Sequence, residues 1–473
     1  MKQVLFIVPH EDDELFVGGP MILNLAQSKK YDTRVYIATN GDYYPFEHKM
    51  RIQESLDALE VMGVPGDHVY FGGYGDGWGD KHLYNSEDTK KRTSEAGKTH
   101  TYMDHPQAKD WAFQYTGKHN SYTRAHYRED IRSLIETLQP DIIIGVDMDS
   151  HRDHRCLSLL TDEALREVLI NNPDYKPVFL KKYAYQGVML GKNDFFHYPL
   201  LPTANEGEDT SNPYFKWSNR IRYRTPDSCK TMLIETNPLY KVSRIYKSQG
   251  MWIHAGGFIN RDVVYWQRNV NNEVLHAKIS VSSGNSAYLN DFKLVDSEDI
   301  IPVELDYSSR CWRPSETDTE KSIRITFAKP TDIKIMNIYF NCIGTATVSG
   351  EITFFSATDT KLHESRLNTT ATGLFHYSLN VSVSSVKEIF IQFKDTTGML
   401  GISEIECLKD VQEIPFQEFL YDSKTEKEAH SPFLRNVLLK LDYIWFRIRT
   451  IWYMNTTNSY SRKRNQYNKE HNR

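Results

Sequence analysis

The sequence predicts an α/β domain built on a parallel sheet, then an all-β sandwich, then a short basic tail. Three observations carry this. Over residues 1–270, short apolar runs alternate with segments of helical periodicity. Over residues 271–410, period-two alternation broken by turn residues takes over. Residues 411–473 end in an amphipathic, basic stretch. A chain of 473 residues is also longer than one domain usually is.

In the first region Val4–Val8, Arg34–Thr39, His68–Phe71 and Ile142–Val146 are short, rich in Val, Ile, Phe or Tyr, and bounded by polar residues or Gly, which is how strands read. Between them Pro20–Gln27, His48–Met62 and Arg124–Leu138 carry apolar residues three and four apart, so that Ile52, Leu56, Leu59 and Met62 share one helical face. Strands alternating with helices make a parallel sheet buried on both sides, and ligands of such sheets bind at the carboxyl ends of the strands. Residues 79–123 interrupt the pattern with a polar stretch holding Trp111, Phe113, Tyr115 and Tyr122. It reads as an insertion at that ligand edge, either a solvated loop or a lid shaping a site.

The sandwich is read from Ser322–Phe327, Ile333–Phe340, Glu351–Phe355 and Glu388–Phe393, each alternating and flanked by turn residues. In the tail, Ser431–Tyr453 places Phe433, Leu434, Val437, Leu438, Leu441, Ile444, Trp445, Ile448 and Trp452 at helical spacing. From 431 to the end, nine Lys and Arg face two acids, a net +7. A basic amphipathic helix rich in Trp and Tyr suits the surface of an anionic membrane. It equally suits a helix docked on the protein's own core, and both expectations stay open.

Hydrophobic residues at 40% suffice for ordinary cores. A net charge of −5 argues against nucleic acid as the partner. Cys156, Cys229, Cys311, Cys342 and Cys407 are widely spaced with no CxxC pair, which reads as free thiols in a reducing compartment. The apolar run Val4–Val8 is too short for a signal peptide, and no run of eighteen apolar residues exists. The expectation is a cytoplasmic protein, with peripheral contact at the inner membrane face through residues 431–473 left open.

The chemistry lies in two clusters, Pro9-His10-Glu11-Asp12-Asp13-Glu14 after the first strand and His151-Arg152-Asp153-His154 after the fourth. A hydrolytic zinc site needs about three protein ligands, an open position, and a carboxylate able to take a proton from water. His10 and Asp13, three residues apart, can converge on one ion, and His154 can supply the third ligand. Asp12 is then free to act as general base, and His151 to protonate a leaving amine or stabilise an oxyanion. Either cluster alone is weak evidence, since acidic groups after a strand are often helix caps. Two such clusters at the ends of two parallel strands are a stronger signal.

These residues resemble the PIG-L/LmbE-like deacetylases, whose hallmark is a strand followed by (A/P)-H-x-D-D-E and a later H-x-D-H. Thr39-Asn40-Gly41-Asp42, Arg51-Ile-Gln-Glu54 leading to Met62-Gly63, and Lys247-Ser248-Gln249 are similar to further family elements. The resemblance covers roughly residues 1–270. It implies a Rossmann-like fold, Zn2+ held by His10, Asp13 and His154, Asp12 as base and His151 as acid or electrophilic partner. It also implies that Arg51, and Asp76 in the Gly-rich loop Gly72–Gly79, hold sugar hydroxyls; the other reading of Arg51 is an ion pair with Glu54. Glu11 departs from the Pro of many members and adds charge beside the metal. The sandwich resembles discoidin-like or galactose-binding-like modules through Ala287–Asp291, Cys311-Trp-Arg-Pro314 and Gly401–Glu406. Trp312 there suits either sugar stacking or a buried core.

The expected function is removal of the N-acetyl group from an N-acetylhexosamine unit of a glycan or glycolipid intermediate, lipid-linked or polymeric. Two other readings stand beside it. One is an amide hydrolase of a small thiol conjugate or glycoside. The other is a non-catalytic glycan-binding protein, against which the complete set His10, Asp12, Asp13, His151 and His154 counts.

Overall fold

Val4–Val8 carries no polar side chain, and every residue of it is fully buried, as the centre of a sheet covered on both faces requires. The computed structural model describes residues 1–77, 83–149, 151–185, 217–231, 233–259, 261–296, 310–422, 432–454 and 459–471. Its first half runs β1 (Lys2–Val8), α1 (Asp13–Gln27), β2 (Tyr31–Thr39), α2 (His48–Met62), β3 (Val69–Tyr74), α3 (Trp111–Thr116), α4 (Arg124–Leu138), β4 (Ile142–Val146), α5 (Arg152–Asn171), β5 (Val178–Lys182), β6 (Ile221–Arg224), α6 (Pro238–Ser243) and β7 (Asp262–Arg268). These strands form one seven-stranded sheet in the order β3-β2-β1-β4-β5-β7-β6. The first five are parallel, while β7 runs antiparallel to both β5 and β6. The expected parallel sheet is therefore the larger part of a mixed one. Its strand order reverses between β1 and β4, parallel hydrogen-bonded neighbours from Val4↔Ile142 to Ile7↔Gly145. That is the switch point at which open α/β sheets bind ligands.

Helices α2 and α4 span the residues that periodicity predicts. Thr123 caps α4 by accepting from the His126 N–H, and Gly63 ends α2 in the left-handed region. Helix α1 begins at Asp13, well before the expected Pro20. Gly18-Gly19-Pro20 looks like a breaker, but the fold absorbs it. Gly18 lies so close to the Phe6 ring that a Cβ there would sit 2.3 Å from it. Pro20 has no N–H for the Phe16 carbonyl one turn back, and the Lys182 ammonium donates to that carbonyl instead.

The stretch after β3 is packed rather than merely solvated. Leu83, Tyr84, Trp111 and Tyr122 are buried. The Tyr122 hydroxyl donates to the Gly73 carbonyl, and Asn40 donates to the Tyr102 carbonyl at 2.8 Å.

A second sheet holds β8 (Lys278–Val281), β9 (Ser322–Phe355), β10 (Lys361–Met399) and β11 (Ile402–Leu408). The four expected strands lie inside β9 and β10, which run on without a break and change partners along their length. Ser322–Thr326 pairs with Glu388–Gln392, which also pairs with Glu351–Phe355, whereas Ile335–Phe340 lies between Phe375–Asn380 and β11. Runs that bend from one layer to another are how sandwiches turn corners. Ile323, Ile325, Ile338, Phe340, Ile352, Phe354, Ile389 and Ile391 form their own core, which also contains Trp312. Trp312 is fully buried and donates to the Ser283 carbonyl at 2.8 Å, so it is a core residue and not a sugar platform.

The tail forms α7 (Pro432–Trp452) and α8 (Ser459–Glu470). One face of α7 docks on the first half through buried Leu439 and Phe446, and Asp442 accepts from the Ile234 N–H at 2.7 Å. Among the described residues no helix is long and apolar enough to cross a membrane.

Candidate active site

Both charged clusters stand at helix N-termini that face each other across the switch point. The first follows β1, where His10 leaves the strand and Asp12 and Asp13 open α1. The second follows β4, where His151 caps α5 and its ring accepts from the Asp153 N–H. Strand adjacency brings together residues more than 140 positions apart.

Asp13 is the hinge of the arrangement. Its Oδ2 lies 2.9 Å from His10 Nδ1 and 3.1 Å from His154 Nε2. Each ring is held from its far side by another carboxylate. His154 Nδ1 meets Asp149 Oδ2 at 2.8 Å, and His10 Nε2 meets Asp153 Oδ2 at 3.2 Å and Asp76 Oδ1 at 3.3 Å. A carboxylate behind an imidazole fixes the tautomer that turns a lone pair towards a metal. Asp13 Oδ1 is buried and has no hydrogen-bond partner, a costly state unless something else occupies it. Around zinc with bonds of about 2.0–2.1 Å, neighbouring ligand atoms sit about 3.3 Å apart, close to the spacing found here. His10, Asp13 and His154 therefore fit a zinc ion. His151 lies near as well, since ligand atoms of His10, His151 and His154 fall within 4.8 Å of one another. Asp13 is the closer donor to the two outer histidines.

The field of the site favours a cation. Burial disfavours charge on His10, but Asp76, Asp13 and Asp153 overcome it and raise its pKa. His154 is pushed up to about 9 by Asp13 and Asp149 in the same way, against burial. Burial also works against the Asp13 charge, yet the two histidines hold it well below the usual carboxylate range. Asp12 is pushed up to about 7 by burial, with Arg51 opposing. His151 is lowered, by burial first and then by His10.

Arg51 and Asp76 reach the same place. The Arg51 guanidinium lies 3.4 Å from Asp76 Oδ2, 3.6 Å from Glu11 Oε2 and 3.8 Å from Asp12 Oδ1. The alternative pairing with Glu54 is not its arrangement. Glu54 instead accepts from the N–H and hydroxyl of Ser248. Gly41 has φ 57°, and a Cβ there would sit 2.4 Å from Glu11 Oε2 and 2.6 Å from Arg51 Nε, so only glycine fits. Asp42 accepts from the Asp76 N–H at 2.7 Å and from the Tyr102 hydroxyl at 2.6 Å, which ties the stretch after β3 to the site.

Residues 5–165 match the family model described as PIG-L: GlcNAc-PI de-N-acetylase. These residues are a PIG-L domain. The match spans β1 through most of α5 and so contains every residue of both clusters, with Arg51 and Asp76. Among solved structures, the chain is similar to the N,N'-diacetylchitobiose deacetylase from Pyrococcus horikoshii, at 19% identity and a TM-score of 0.24, over 37% of this chain and 52% of that one. It is also similar to a Streptococcus pneumoniae fucose binding module, at 13% identity and a TM-score of 0.23, over 30% of this chain and 98% of that one. No curated protein matches it.

Sequence reasoning missed several residues that the fold brings to the site. Asp149 accepts from the N–H groups of His151 and Tyr185 besides backing His154. Tyr185 lays its ring 4.7 Å from that of His154. Glu14 accepts from the Asp12 N–H at 2.9 Å and from the Tyr246 hydroxyl. Asp149 carried a signal, an acid two residues before His151, but its orientation depends on how the turn after β4 folds.

Proposed function

We propose that this protein is a zinc-dependent hydrolase that removes the N-acetyl group from an N-acetylhexosamine, N-acetylglucosamine in type, within a lipid-linked or polymeric glycan intermediate. The observation that carries the reading is Asp13 Oδ2 set between His10 Nδ1 and His154 Nε2, with each ring backed by its own carboxylate. It lies within a domain of a de-N-acetylase family.

In this reading His10, Asp13 and His154 hold the zinc. The chemistry a zinc ion would supply when bound there is Lewis acidity towards the amide carbonyl and towards water. Asp12 accepts a proton from the attacking water as the new C–O bond forms. His151, at the mouth of α5, gives a proton to the amine nitrogen as the C–N bond breaks, leaving acetate and a free amine. Arg51 offers a planar fork suited to vicinal hydroxyls, and Asp76 accepts from a neighbouring hydroxyl. Both touch the cluster rather than distant walls, which supports a sugar ring held against the scissile amide. Cys229, Cys311, Cys342 and Cys407 are buried and form no disulfide, in keeping with work in the reducing cytoplasm.

The test combines metal analysis with acetate release from N-acetylglucosamine and N-acetylgalactosamine conjugates, free and lipid-linked. One zinc per chain is expected. Asp12→Ala should keep the metal and lose about 10²–10⁴-fold in kcat. Full activity of that variant would remove Asp12 from the role of base.

A further inference from the structure

Helix α7 has two faces of opposite character. One is docked, as described, through Leu439, Asp442 and Phe446. The other carries Phe433, Leu441, Ile444, Trp445, Ile448 and Ile451, each at least half exposed. At about 100° per residue these six fall on one stripe opposite the docked face. Single exposed apolar residues are ordinary, but a continuous stripe on one helix marks an interaction surface.

We propose that this stripe is an interfacial anchor that seats the protein on the surface of an anionic lipid bilayer. Charge decides the occupant. Residues 431–473 carry a net +7 in a chain of −5, so the remainder carries −12. Exposed Lys440 and Arg447 line one border of the stripe, and exposed Arg462, Lys463 and Lys469 follow on α8. Apolar side chains below a cationic rim match acyl chains below anionic headgroups, and long basic side chains reach back to the headgroup layer. A second copy would set one +7 surface against another. The helix cannot span, so it lies along the interface.

The anchor is fixed to the catalytic half. Arg464 of α8 donates to both Glu47 carboxylate oxygens at 2.7 Å, and Tyr467 packs on Tyr44 and Phe46. Glu47 immediately precedes α2, the helix that carries Arg51. Membrane seating would thus hold this wall of the site beside the lipid surface. The inference does not depend on the chemistry at His10.

The test uses the full chain with vesicles of phosphatidylcholine, with and without phosphatidylglycerol. Binding is expected only with phosphatidylglycerol, and should weaken as salt rises. The triple variant Ile444→Ser, Trp445→Ser, Ile448→Ser should bind at least about tenfold more weakly. Lys440→Glu with Arg447→Glu should also weaken it, by about thirtyfold or more. Brominated lipid should quench tryptophan emission of the unaltered protein, and less so in Trp445→Phe, which keeps the measurement independent of the triple variant's folding. Failure of the unaltered protein to bind phosphatidylglycerol vesicles at low salt overturns the proposal. So does a lipid-free dimer that the triple variant converts to monomer, since a second copy would then own the face.

Discussion

Asp12 and Asp13 are neighbours in the chain and opposites in environment. Asp13 points between two histidines that stabilise its charge, while Asp12 is raised to about 7 by burial and only partly offset by Arg51. The backbone of Asp12 has φ 126°, where a residue with a side chain is strained, at a cost of about 1–3 kcal/mol. Glu14 holds that geometry. One carboxylate oxygen accepts from the Asp12 N–H, and the other from Ser55, at 3.4 Å, and from Tyr246. Glu14→Ala should therefore let the Asp12 loop relax, lowering kcat about 10²-fold with little change in KM and with zinc retained. Steady-state kinetics beside metal analysis checks this. Loss of zinc in parallel with kcat would instead tie Glu14 to metal binding.

At the scale of elements, α1 depends on β5 for a hydrogen bond it cannot make itself. Pro20 leaves the Phe16 carbonyl without its helical donor, and Lys182 fills the place. Lys182→Met should destabilise the protein, and less so in a Pro20→Ala background, where residue 20 regains an N–H. A double-mutant cycle by urea unfolding should give a coupling of about 1–2 kcal/mol. The same lysine predicts a pH effect. Burial lowers its pKa from 10.5 to about 8, with Asp149 opposing. Since the folded value is the lower one, the stability linked to it is complete above pH 10.5 and lost as pH falls through about 8. The difference is worth about 3 kcal/mol. Unfolding curves between those pH values should rise more steeply for the unaltered protein than for Lys182→Met.

The whole molecule is two sheets joined by buried charge. Lys293, between β8 and β9, lies 2.9 Å from Asp296, 3.4 Å from Asp291 and 3.1 Å from Glu163 of α5. It also donates to the hydroxyl of Tyr84. Asn272 bonds across to the Ile405 carbonyl and the Cys407 N–H, and Gln412 returns to the Pro177 carbonyl. Lys293→Met would leave Asp291 without its cation, while Arg310 still meets Asp296 and Arg124 still meets Glu163, and should cost about 3–5 kcal/mol. Differential scanning calorimetry should then resolve two transitions, against one expected for the unaltered protein. A single transition moved by less than about 1 kcal/mol would mean the lysine acts as a surface ion pair does.

What the sequence determined by itself is local. The limits of α2 and α4 followed from periodicity. Strand β4 followed from an apolar run of fixed length, and the two clusters were visible because each is contiguous. The tertiary structure decided everything that depends on which elements are neighbours. Strand order, not spacing, sets β1 beside β4 and so sets His10 and Asp13 against His154. Glu14 finds Tyr246 only because α6 leads its chain back over α1, and the Phe16 carbonyl finds Lys182 because β5 runs beneath the same helix. The two expected readings of α7 were alternatives in one dimension, yet a helix has two sides. One docks, while the other stays exposed. Hydrogen bonds, ion pairs and burial are properties of distance in space, and a chain of 473 residues specifies those distances only through the packing of its whole length.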